Sequence, residues 1–303
     1  MPRRLVQSYP GMRTLSLAVL LLCTVSAHAE RGGLQPGEGF TFALSMGPIQ
    51  GARARLVVGA PFEKKGRSLV YVRGEAETLS IVKLVAPMTA SYVLTLDAAT
   101  LAPREIVSDE KGLNENSFHS FLDGKKLELD LASPRGKRHQ VRVLLREPRD
   151  PIAAYFALRA SELPDGATYD LDVLDGGALW RARLVVKGRE PLVLGDDEEH
   201  PRPPVDAIHI AGTLDRIDDV GHLIGRPQRT IALWVTDDAS RILLRTTFDS
   251  DLGRAKLDLT SYSAPARKTK VRQAEATLPG IQASASANAD AGHGAAVRNA
   301  TPR

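Results

Sequence analysis

The alternation after Asp123-Gly124 is the feature that most limits the folds open to this chain. Leu127, Leu129 and Leu131 fall on one side of an extended backbone, with Glu128 and Asp130 on the other. A helical period would scatter the same leucines around a cylinder. Asp-Gly is the pair that a tight primed hairpin turn demands, because both residues must reach positive φ. Residues 118–122 are therefore expected to run back beside residues 125–131 as an antiparallel strand.

The same pattern recurs along the chain. Residues 168–174 and 178–186 flank Asp175-Gly176-Gly177, and residues 40–44 and 52–58 flank Gly47-Pro48-Ile49-Gln50-Gly51. Further strands are expected at 69–77, 138–146, 205–214, 230–236, 242–248 and 254–262. About 12 short strands joined mainly by hairpins argue for antiparallel sheet rather than βαβ units. Two segments break the period. Residues 79–85 are short, apolar and stopped by Pro87. Residues 151–160 follow Asp150-Pro151, a capping residue with proline at the first helical position. The fold class expected is mainly β: a curved antiparallel sheet or open barrel-like domain with two short helices. In the second helix, Ile152, Tyr155, Phe156 and Leu158 are expected to be buried, with Asp150 as cap.

The two ends differ from the body. Residues 1–13 carry Arg3, Arg4 and Arg13 without an acid, residues 15–25 are almost wholly apolar, and Ala27-His28-Ala29 offers a small-x-small cleavage site. This order is that of a secretory signal peptide cut after Ala29, which places the mature protein in the periplasm or cell envelope. The apolar run is shorter than the roughly 20 residues a bilayer requires, so no membrane span is expected after cleavage. Cys23 is the single cysteine and lies in this leader, which leaves residues 30–303 without a thiol for disulfides or thiolate metal sites. Residues 264–303 are rich in Ala and Ser with scattered basic charge and read as a disordered tail. Residues 30–263 read as one β-rich domain. The net charge of +4 is owed to the leader and tail rather than to the body, and aromatic residues make up only 5%. No nucleic-acid surface is therefore expected.

Chemistry-bearing motifs are few. The chain has no G-x-S-x-G elbow, no H-E-x-x-H pair and no phosphate-binding P-loop. No cofactor and no metal site are expected. The run Asp196-Asp197-Glu198-Glu199-His200 lacks the spacing and glycine bend of a calcium loop. Asp215, Asp218, Asp219 and His222 form a second polar group, read as a loop with weak cation affinity at most. His209 sits between apolar neighbours and is expected to face solvent or a polar groove. Candidate ligand-binding residues are Tyr155 and Arg159, four apart on one helix face, with Trp234, Asp237, Asp238 and Arg241 at a strand end. Adjacent carboxylates can split their pKa values and act as acid and base, but a turn over residues 236–240 explains Asp237 and Asp238 equally well.

Three stretches, taken in order, resemble an exported bacterial family known as domain of unknown function 3108. Residues 37–51 resemble its opening G-E-x-L-x-Y strand and glycine turn. Residues 150–159 resemble its D-P-x-S-x-x-Y-x-x-R helix, with Ala153 where serine is common. Leu233-Trp234-Val235-Thr236-Asp237-Asp238 with Arg241 resembles its W-x-S-D-D-x-x-R segment. The resemblance implies a β-rich exported fold and no particular reaction. The function expected is non-enzymatic binding of an envelope lipid or glycan. The alternatives are a glycan hydrolase using carboxylates and a structural adaptor.

Overall fold

The protein was analysed as a computed structural model, which describes residues 33–47, 49–112, 115–195, 203–225, 228–250 and 253–265. The expected leader (residues 1–29), residues 266–303 of the expected tail and the acidic run 196–200 lie outside the described residues. Eight strands come first: β1 (Gly39–Met46), β2 (Ile49–Lys64), β3 (Arg67–Thr78), β4 (Met88–Asp97), β5 (Pro103–Gly112), β6 (Asn116–Asp123), β7 (Lys126–Ser133) and β8 (Gly136–Val143). Helix α1 (Ser80–Val85) separates β3 from β4. Helix α2 (Pro151–Ala160) leads to β9 (Thr168–Asp175), β10 (Ala178–Leu192), β11 (Val205–Ile217), β12 (Arg229–Thr236), β13 (Leu243–Ser250) and β14 (Gly253–Ser263).

All 14 strands form one curved sheet. Every neighbouring pair within it is antiparallel and adjacent in sequence, except at the middle, where β1 pairs with β14. The sheet therefore has two arms, β1 to β8 and β14 back to β9, with β8 and β9 as its edges. The chain passes from one edge to the other through residues 144–150 and α2. Arg149 stitches this passage to the β9 edge: its N–H donates to the Asp172 carbonyl at 2.8 Å, and its own carbonyl accepts from Leu174 at 2.7 Å.

Two strands more are present than the sequence pattern gives, β4 and β5. The turn between them lacks the glycine that marks most of the other hairpins. Leu101 takes φ 57 there, and the Asp97 carboxylate accepts the N–H groups of Ala99 and Thr100 at 3.2 and 3.0 Å. An aspartate side chain thus does the work of a turn glycine. β2 and β10 also run further than expected. Each carries a bulge, β2 between Val58 and Pro61 and β10 between Val186 and Gly188. A bulge accommodates proline, which cannot donate to a ladder.

The inner face is apolar and continuous across both arms. Val72, Leu94, Ile106, Leu127 and Leu129 come from one arm, and Leu174, Leu184, Ile208, Ile210 and Val235 from the other. α2 lies within this core, as the sequence predicts. Phe156 is fully buried, with Tyr155 and Leu158 also buried and Ile152 partly so. Asp150 caps the helix by accepting the Ala153 N–H at 2.6 Å.

Candidate functional site

Among the described residues, polar side chains gather in a buried knot beneath α2 and in an open trough on the outer face of the sheet. The knot starts from Arg159, which is only 1% exposed. A buried guanidinium must be paired and fully hydrogen-bonded, since each unmet donor costs desolvation energy. Its Nη1 and Nη2 donate to the two carboxylate oxygens of Glu38, both at 2.7 Å, and its Nε donates to the Ser240 carbonyl at 2.5 Å. Tyr262 donates to the same carboxylate at 2.7 Å. Glu38 itself is wholly buried. One α2 residue thus ties the chain just ahead of β1 to the turn between β12 and β13, with a hold on β14 through Tyr262.

Tyr155 supports the same turn. Its hydroxyl donates to the Arg241 carbonyl at 3.2 Å and accepts the Leu243 N–H at 3.1 Å. Burial pushes its phenol up to about 12, so it remains a neutral donor throughout the physiological range. Arg241 holds φ 44, a left-handed conformation that costs a non-glycine residue stability unless the surroundings fix it. Asp238 does so from the other side, its Oδ1 accepting the N–H groups of Ser240 and Arg241 and the Thr236 hydroxyl at 2.7, 3.1 and 2.9 Å. Asp237 points elsewhere and accepts from Arg189 Nε at 2.9 Å.

Of the candidates from the sequence, Tyr155, Arg159, Asp238 and Arg241 therefore meet at one turn, with Arg241 contributing its main chain. Trp234 does not join them. It lies on the outer face, stacked on His209 with ring centroids 4.5 Å apart, and its indole N–H donates to Glu190 at 2.5 Å. His209 is accordingly half-buried in an aromatic stack rather than open to a groove, and burial lowers its pKa. The polar loop over 215–222 spends its acids internally. Asp219 binds Arg142, Asp215 binds Gln228 and Arg183, and Asp218 accepts the N–H groups of Val220 and His222.

A second buried acid was identified in the sequence only as a cap. Asp150 also accepts a hydrogen bond from the Tyr92 hydroxyl on β4. Burial raises the Asp150 carboxyl to about 6, against the lowering effect of its hydrogen bonds from Tyr92 and Ala153. Glu38, Tyr262 and Tyr92 escape a local reading because their partners are 121, 224 and 58 residues away. The one available signal was Glu38 between two glycines in the opening motif.

The outer trough has a volume of about 790 Å³ and spans β14 and β1 to β5. Two adjacent cross-strand rows form it. The first runs Ser261, Thr41, Arg55, Glu75, Ser91, Asp109, and the second runs Arg53, Glu77, Thr89, Lys111. Hydroxyls, cations and carboxylates alternate across the strands, and Arg53 donates to Glu77 at 3.2 Å. Such a surface offers both donors and acceptors with balanced charge.

The three stretches that resembled one family in sequence are the ones that meet at Arg159. The family model described as Protein of unknown function (DUF3108) matches residues 41–260. The chain belongs to the DUF3108 family. Within this DUF3108 domain, the helix motif supplies Tyr155 and Arg159 and the late motif supplies Asp238 and Arg241, while Glu38 lies just ahead of the matched residues. A search of curated proteins found no match. Among solved structures, the chain is similar to a β-barrel-like protein of domain of unknown function DUF1849 from Brucella abortus, at 13% identity and a TM-score of 0.46, covering 77% of this chain and 98% of that one. It is also similar to a putative exported protein with a YmcC-like fold from Bacteroides fragilis, at 6% identity and a TM-score of 0.31, covering 77% and 99%.

Proposed function

We propose that this is an exported, non-enzymatic binding protein of the cell envelope and that its ligand is a glycan held in the outer trough. The filled interior carries this reading. A β-barrel that holds an acyl chain needs a hollow core, and here α2 occupies the core with Phe156 and Tyr155 at its centre. A polyhydroxylated ligand instead needs donors and acceptors in alternation on an open surface, which the rows through Arg55-Glu75 and Arg53-Glu77 supply. Export rests on the leader-like order of residues 1–29. The use of Asp238 and Asp237 in a turn and an ion pair favours binding over carboxylate-driven hydrolysis.

The test is a pull-down with the immobilised mature protein, offered envelope glycan fragments in one arm and total lipid extract in the other, and read by mass spectrometry. Glycan should be enriched over a control protein. Enrichment should fall about tenfold or more in an Arg55→Ala, Glu75→Ala double variant whose melting temperature is unchanged. Recovery of lipid without glycan, or an unaltered yield from the double variant, would overturn the proposal.

A further inference from the structure

The seam between the two arms leaves main-chain groups without partners. β8 ends its arm of the sheet, paired on one side only. Leu144 N–H donates across to the Lys125 carbonyl at 2.9 Å, while Leu145 N–H turns the other way and donates to the Asp219 carbonyl at 2.8 Å. Main-chain groups alternate sides along a strand, so those of Lys137, His139, Val141 and Val143 point away from β7. Among the described residues no backbone partner meets these four.

A cleft of about 680 Å³ lies along this edge. Leu131, Gln140 and Arg142 line it from the β7–β8 side, and Gly177, Leu179 and Arg216 face them from β9 to β11. Arg142 clamps one end through Asp219 and the Gly177 carbonyl, at 2.5 and 2.7 Å. β8 carries Lys137, Arg138 and Arg142 and no acid. Lys137, Arg138 and Arg216 have no carboxylate partner among the described residues, Arg216 lying instead near Trp180. A second copy of this chain fits poorly, because β8 against β8 would set cations against cations. Val141 and Val143, 55% and 72% exposed, present an apolar strip beside the same edge.

We propose that this seam receives an extended acidic segment of a partner protein, which adds to β8 as a further strand. The guest main chain pairs with the outward groups of Lys137 to Val143, as in other strand additions to a sheet edge. Its carboxylates meet Arg138 and Arg216 on one face of the sheet, and alternate apolar side chains cover Val141 and Val143 on the other.

The probe is a short labelled peptide alternating Glu and Val, with a Lys–Val peptide of equal length as reference, titrated into the full mature protein. The Glu–Val peptide should bind, and amide exchange should slow at Lys137, His139, Val141 and Val143. Val141→Pro removes one outward N–H without touching the β7 ladder. It and Arg216→Glu should each weaken binding about tenfold. Equal binding of the Lys–Val peptide, unchanged affinity in Arg216→Glu, or no binding at about 1 mM peptide overturns the proposal. So does protection of the edge amides that rises with protein concentration alone. If Val141→Pro does not fold, Arg216→Glu and the exchange pattern decide.

Discussion

Arg159 and Glu38 carry charge into a place from which water is excluded, and their worth lies in being intact rather than in being charged. Replacing a buried pair by apolar residues is often neutral, while removing one member strands the other. Glu38→Ala should therefore destabilise the fold by about 3–5 kcal/mol in urea titrations. A Glu38→Leu, Arg159→Met double variant should recover much of that loss. Asp150 gives a prediction in pH. Its carboxyl titrates near 6 when folded, raised from 3.8 by burial. The folded state thus prefers the protonated form. The resulting stability is fully present below about pH 4 and is lost as pH rises through about 6, roughly 3 kcal/mol over the interval. Asp150→Asn keeps a capping oxygen and should flatten this part of the pH profile. Sequence reasoning reached Tyr155, Arg159 and the Asp150 cap because helix caps and faces are local. It did not reach Glu38, Tyr262 or Tyr92, whose hydrogen bonds form only after distant strands are in place.

At the scale of elements, α2 is the pin inside the sheet and β10–β11 is its longest pairing. Phe156→Ala empties the middle of the core and should cost about 3–5 kcal/mol, measured as a shift in the urea midpoint at constant slope. Gly212 on β11 is a sharper case. A Cβ there would lie 1.9 Å from the Arg183 carbonyl oxygen of β10. Gly212→Ala should force the strands apart and cost about 3 kcal/mol or more, seen as a fall in melting temperature. Hairpins with glycine in the turn, Gly124 after β6 and Gly176-Gly177 after β9, and α2 with its Asp-Pro start, were legible because the turn or cap is written in residue type, although Asp123 and Asp175 themselves stay in the strands. β4 and β5 were not. Leu101 and the Asp97 side chain close their turn without glycine, and β5 ends in the polar run Ser108 to Lys111.

For the whole molecule, the governing fact is that the first and last strands lie side by side in the middle of the sheet. A chain ending at residue 250 would lack β14 and leave β1 and β13 facing a gap in the centre rather than at an edge. Such a truncation should yield no cooperative unfolding transition by circular dichroism, whereas a chain ending at residue 265 keeps every strand. The same arrangement fixes an order in time. Every other neighbouring pair of strands follows its partner directly in the chain and can form as soon as its second member is made. β1 against β14 joins residues more than 200 positions apart, and closing so long a loop is entropically slow. Residues 39–46 thus wait, unpaired on one side, until nearly the whole protein has been synthesised. Of all the strand pairings in this fold, the last strand meeting the first closes the longest loop.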